Sequence, residues 1–142
     1  MSEQNFQNHS RYVVGFHFIT STVILAVIIG SFVNLYHAAP ENHYSAALIC
    51  VISLLLVSFF WYTRTFALKA QDRAIRAEEG LRYFILTGKA LPSAIRMSQI
   101  IALRFASDEE MPGLVQRAVN ENLSSADIKK AIQNWRADNH RV

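Results

Sequence analysis

The chain has 142 residues, a single cysteine and a formal net charge of +3, which is enough for one ordinary domain and excludes any intrachain disulfide framework. The basic excess is small and its signs are interleaved, a pattern of solvated helical surface that argues against a nucleic-acid partner. The charge is unevenly placed: between Tyr12 and Leu68 only Glu41 and Arg64 carry it, whereas Lys69 to Val142 holds twelve Lys and Arg against nine Asp and Glu.

After a polar N-terminal segment, 1–11, the first predicted element is "YVVGFHFITSTVILAVIIGSFVNLYH", Tyr12 to His37. As a helix it is about 39 Å long at ~1.5 Å per residue, enough to cross a hydrocarbon core of about 30 Å with tilt. It is too long for a signal-peptide core, and a second span follows directly, so it reads as a retained span. The second, "YSAALICVISLLLVSFFWYTRTFALK", runs from Tyr44 to Lys69. The link 38–43, "AAPENH", contains Pro40 and Asn42 as turn residues. So short a link makes residues 12–68 an antiparallel transmembrane hairpin. The link has no Lys or Arg, whereas Arg11, Arg64, Lys69, Arg73 and Arg76 flank the other ends. The expected topology therefore has both termini cytoplasmic. Tyr36 and Tyr44 fall at the outer interface, and Tyr12, Phe16, Phe59, Phe60, Trp61 and Tyr62 near the inner one.

Two faces of the spans stand out at 100° per residue. Thr22, Ala26 and Gly30 on the first, and Ala46, Cys50 and Ser53 on the second, form small-residue ridges suited to helix–helix packing within the hairpin or between copies. On the opposite face of the first span, His17, Thr20, Ser21, Ser31 and Asn34 form a candidate polar seam, interrupted by Ile24 and Ile28. Polar residues in a span are costly facing lipid. Either His17 and Asn34 reach the two interfaces, the reading the aliphatic middle favours, or the seam meets itself around an axis as a path for ions or solutes.

Nothing stops the second helix at the membrane surface. Helix formers run through Ala67, Leu68, Lys69, Ala70, Gln71, Ala74, Ala77 and Glu78, with Asp72–Arg76 and Glu78–Arg82 as i, i+4 pairs, so the helix should continue to near Gly88. Ala70, Ala74, Ala77, Leu81 and Phe84 recur at heptad spacing. The expectation is that this stripe packs on the rest of the chain, with self-association as the alternative. Residues 69–142 then form a helical domain of short elements. Ser93 is the expected cap of "SAIRMSQIIALRF". Ser107 with Glu110 makes an expected capping box for a helix ending near Asn120. Ser124 or Ser125 caps a last helix whose face holds Ile128, Ala131, Ile132 and Trp135. The candidate cytoplasmic contact surface comprises Leu81, Phe84, Ile85, Ile100, Ile101 and Phe105.

Chemistry-bearing patterns are scarce. There is no phosphate loop, metalloprotease motif, paired cysteines or nucleophile signature. His37, Glu41 and His43 crowd the outer turn but match no ligand spacing, "SDEEM" is acidic but is explained by helix capping, and no cofactor or metal is expected. His9 and His140 lie in terminal segments.

"FALKAQDRAIRAEE", "IIALRFASDEE" and "KKAIQNWRAD" resemble a family of uncharacterised bacterial membrane proteins with two spans and a cytoplasmic tail, over most of the chain. The resemblance implies that architecture and a bacterial source, and no activity. The expected fold is thus all-α: an integral membrane hairpin whose second span continues into a cytoplasmic helix and a small C-terminal bundle. The expected function is a non-enzymatic, homo-oligomeric inner-membrane helical interaction or scaffold module, with the lipid bilayer, a second copy or another membrane protein as partners. The alternatives are a small oligomeric channel or transporter-like protein using the seam, and an inner-leaflet enzyme using Arg73, Arg76 and Glu79 on lipid headgroups.

Overall fold

No proline interrupts the first apolar run, and in the computed structural model it is helical from Gly15 onward. The structure describes residues 5–6 and 12–138, so Arg11, His9 and His140 lie outside the described residues, as does most of segment 1–11. Among the described residues the fold is all-helical, without strands. It comprises α1 (Ser21–His37), α2 (His43–Thr87), α3 (Met97–Leu103), α4 (Met111–Asn120) and α5 (Ser125–Ala131). Contacts divide the chain into two compact units, one within Arg11–Ala67 and one formed mainly by Leu68–Val142. The 45-residue α2 contributes to both.

The first unit is a helical hairpin. A π-helical turn, Gly15–Thr20, precedes α1. There the Thr20 hydroxyl donates to the Gly15 carbonyl at 2.8 Å and the Ser21 hydroxyl to that of Phe16 at 3.3 Å, each five residues back. Side-chain hydroxyls that compete for main-chain acceptors perturb a regular helix, and this is where the first span departs from an even α-helix. Pro40, whose fixed φ and missing N–H suit a helical first position, opens a 3-10 turn, Pro40–Asn42, that leads directly into α2.

Small side chains draw the hairpin's two helices together. Ser31, Ala46, Cys50 and Ser53 are buried. The Ser31 and Ser53 hydroxyls are 3.1 Å apart, and the Cys50 thiol donates to the Ser31 carbonyl at 3.2 Å. Ser31 and Ser53 also return to the carbonyls of Ile28 and Cys50, so the buried hydroxyls are satisfied. Towards the other end Phe16 stacks on Phe60 with centroids 4.2 Å apart, and the Arg64 guanidinium lies 6.0 Å from the Phe16 ring. Away from this seam the large apolar side chains, among them Leu25, Ile29, Ile52 and Leu55, remain exposed.

The second unit has a conventional core. Ile100, Leu103, Phe105, Met111, Val115 and Ile128 are fully buried, and Ile75 and Tyr83 of α2 join them. Removing that apolar area from water is the main favourable term for such a unit. Gly88, with φ 69°, ends α2 by donating its N–H to the Phe84 carbonyl at 2.8 Å, as the sequence predicts.

Two helix starts differ from the expectation. Ser93 does not cap α3; it lies in a turn closed by the Ile95 N–H on the Pro92 carbonyl, and α3 begins at Met97. The buried Gln99 takes the capping role: its Oε1 accepts from the Arg96 N–H at 2.8 Å, while Nε2 donates to the carbonyls of Ala118 and Leu123 at 3.1 and 2.9 Å. A buried amide must find partners for both ends, and this one finds them across three segments. Glu110 likewise does not close a capping box with Ser107. Its carboxylate accepts from the backbone N–H groups of Gln133 and Asn134 at 3.2 and 3.0 Å, and α4 starts one residue later. This ties the chain after α5 to the turn before α4. The Ser107 N–H on Asn134, the Arg136 N–H on Phe105, and the bridge between Ala106 and Trp135 reinforce it.

The last cap is as predicted: Ser124 Oγ accepts from the Asp127 N–H at 3.1 Å. However, α5 ends at Ala131, so Ile132 and Trp135 reach the core from extended backbone, Trp135 packing on Phe105 at 5.1 Å, rather than from a helical face.

Candidate functional site

The second unit carries a cluster of paired polar groups on α2. Ile75, Glu79 and Tyr83 follow one another at four-residue spacing, so all three point into the same unit, and Glu79 is carried inward with its apolar neighbours. Its carboxylate Oε2 accepts from Arg82 Nη1 at 2.9 Å, and Oε1 lies 4.0 Å from Arg136 Nη1. Arg82 in turn donates to Asp108 Oδ1 at 2.6 Å and to the Ala106 carbonyl at 2.7 Å. Both side chains of the Glu79–Arg82 pair are about one-tenth exposed or less, so removing one partner would leave the other's hydrogen-bonding groups buried without that contact. The expected Glu78–Arg82 pair is replaced by this i, i+3 pair, because Glu79 and not Glu78 shares the buried face with Arg82.

Two clefts of about 330 and 510 Å³ adjoin Glu78, Glu79 and Arg136. The first also includes Arg104 and Asp138, themselves paired at 3.2 Å; the second includes Arg82 and Asp108. Among the described residues their walls combine carboxylates and guanidinium groups and contain no Ser, Cys or His. Such walls recognise charged or hydrogen-bonding partners; every guanidinium that lines them also faces a carboxylate.

The residues singled out from the sequence are distributed differently from the expectation. Of the seam, Ser31 is buried against Ser53, because the hairpin closes on the face that carries Ser21, Ile24, Ile28 and Ser31. Ser21 is half-buried and bonded to its own helix; His17 bonds the Val13 backbone at 3.1 Å, and Asn34 is exposed. Of the ridges, Ala46, Cys50 and Ser53 are buried in the hairpin, while Thr22, Ala26 and Gly30 are exposed. They lie off the face that meets α2, so the two ridges do not face each other.

The contact surface also divides. Leu81, Phe84 and Ile85 are 61, 53 and 72% exposed, whereas Ile100 and Phe105 are core residues and Ile101 is partly buried against that core. The heptad stripe Ala70, Ala74, Ala77, Leu81 and Phe84 does not pack on the unit's other elements; the Ile75–Glu79–Tyr83 face does. Arg73 and Arg76 are exposed while Glu79 is buried, so these three do not form a common surface. Among the described residues no group of three His, Cys, Asp or Glu side chains is placed to hold a metal ion.

A family description matches residues 1–142, the whole chain. The chain belongs to DUF6526, a family of unknown function. No curated protein and no solved structure matches this DUF6526 chain.

The sequence reading missed the Glu79–Arg82–Asp108 cluster. A signal was available: Glu79 stands four residues from both Ile75 and Tyr83, the larger residues of a face whose opposite stripe is mostly alanine. Asp108 and Arg136, distant in sequence, come near it only through the fold.

Proposed function

We propose that this DUF6526 protein is a non-enzymatic integral membrane protein of the bacterial inner membrane, a hairpin anchor that presents a helical interaction module at the cytoplasmic face as a homo-oligomer. One observation carries the anchor. The helical stretches Gly15–His37 and Pro40–Thr87 are long and apolar enough to cross a bilayer, yet only 6% and 17% of their most apolar windows are buried within the chain. A core helix of a soluble protein would be covered by its own fold; these surfaces call for another apolar solvent, and lipid supplies it. The Lys and Arg placement supports cytoplasmic termini, and the resemblance supports a bacterial source.

The hydroxyl contacts inside the hairpin favour this reading over a pore. Ser31 is engaged with Ser53, and aliphatic Ile24 and Ile28 line the same face. In cysteine-accessibility scanning from Thr20 to Asn34, only end positions should react with water-soluble reagents; reaction at every polar position along the helix would favour the channel instead.

The anchor is tested by alkaline carbonate washing of vesicles and by protease protection of tags at both ends. Retention in the pellet with both tags on the cytoplasmic side is expected. Release of the intact chain, or tags on opposite sides, overturns the proposal.

A further inference from the structure

The apolar stripe on the distal part of α2 has a geometry that selects its occupant. With α2 as a regular helix at about 100° per residue, the stripe Ala70–Ala74–Ala77–Leu81–Phe84 is centred about 180° from the Ile75–Glu79–Tyr83 face. One side of the helix therefore holds the second unit's core, and the stripe residues on the other side are exposed, Ala74 and Leu81 at the margins of the two clefts. In heptad terms Ala74 and Leu81 take a positions and Ala70, Ala77 and Phe84 take d positions. Arg73 then falls at g and Glu78 at the following e, and both are exposed. In a parallel pair of helices a g residue faces the e residue five positions on in its partner, so Arg73 of each copy meets Glu78 of the other. An antiparallel partner would lose this match.

We infer that a second copy of this chain covers the stripe, through a parallel, in-register pairing of α2 over residues 70–84 with reciprocal Arg73–Glu78 ion pairs. The inference rests on the proposed anchor and deepens it: two copies inserted from the same side bring their α2 helices out in the same direction and at the same height. The alanines near the base let the helices approach closely, and Leu81 and Phe84 supply apolar area above. The bilayer surface is a poor occupant, because Leu81 lies roughly 18 Å along the helix beyond Lys69 at ~1.5 Å per residue.

The test is disulfide cross-linking in native vesicles. Cys50 is the sole cysteine, so Cys50→Ala supplies a silent background. Ala77→Cys should cross-link to a species of twice the chain mass under mild oxidation. Arg76→Cys, exposed but off the stripe, should do so at least about tenfold less. Arg73→Glu or Glu78→Arg should each lower the Ala77→Cys cross-linked fraction, by roughly tenfold in association constant for the two opposed pairs, and the double reversal should restore it. Equal cross-linking at 76 and 77, a product of any other mass, or no rescue by the double reversal overturns the inference. If native mass spectrometry then shows an oligomer, the homo-oligomer reading stands and only the parallel stripe falls. A monomer removes both, and carbonate retention separately reports whether the anchor survives.

Discussion

At the scale of single residues, positions with few alternatives decide the outcome. Gly88 ends α2 at φ 69°, and a Cβ there would meet nothing within 4 Å. The cost of Gly88→Ala is therefore conformational rather than steric, about 1 kcal/mol. It should appear as a lower midpoint in chemical unfolding of the full chain in micelles, with Trp61→Phe leaving Trp135 as the sole reporter. Glu79 is the opposite case, a charge held inside. Glu79→Ala takes the carboxylate from Arg82 Nη1 while Asp108 and the Ala106 carbonyl remain, so a loss of about 2 kcal/mol is expected in the same assay. A change under 0.5 kcal/mol would mean that water replaces the carboxylate at little cost.

At the scale of elements, α5 is the clearest case of local chemistry acting alone. Ser124→Ala removes the acceptor for the Asp127 N–H, and a loss of about 1 kcal/mol is expected. The Ser124 hydroxyl also donates to the Asp127 carboxylate at 2.6 Å, and with the backbone contact and nearby Lys130 this holds the Asp127 carboxyl below its ordinary value of 3.8. A lowered folded pKa contributes stability that is complete above the unfolded value and is lost as pH falls through the folded one. An unfolding series from neutral pH down through pH 4 should therefore show a smaller acid-side decline in Asp127→Asn than in the parent. The other two short helices start where tertiary partners, not local caps, allow: α3 through Gln99 and α4 after Glu110 has turned to the backbone at 133–134.

At the scale of the whole molecule, the two units differ in how much apolar surface they cover themselves. The hairpin covers little of its apolar surface with its own atoms, while the second unit buries Ile100, Phe105 and Val115 completely. Phe105 touches Trp135, Arg104 and Lys129, so Phe105→Ala opens a cavity at the centre of that unit and should cost about 3–5 kcal/mol. Under the proposed anchoring the variant should still resist carbonate, because lipid rather than that core holds the hairpin. Greater protease sensitivity beyond residue 88 with unchanged membrane retention is the expected result, measured by limited digestion and carbonate washing of the same vesicles. Loss of retention would show that the two units depend on each other.

The amino-acid order alone determined what depends on short range and on sheer hydrophobicity: two long apolar helices, the turn at Pro40, an α2 that runs on to Gly88, and a serine cap at 124 or 125. These need only a few adjacent residues, and neighbours in sequence are neighbours in a helix. Which face of each helix is covered was settled in three dimensions. The hairpin closed on Ser31 and Ser53, burying Ala46 and Cys50 but leaving Thr22, Ala26 and Gly30 exposed. Alpha2 turned Ile75, Glu79 and Tyr83 inward instead of its alanine stripe. A helix offers several plausible stripes at similar spacing, and only the volume and charge of distant partners (Phe60 for Phe16, Asp108 for Arg82, the carbonyls of Ala118 and Leu123 for Gln99) choose among them.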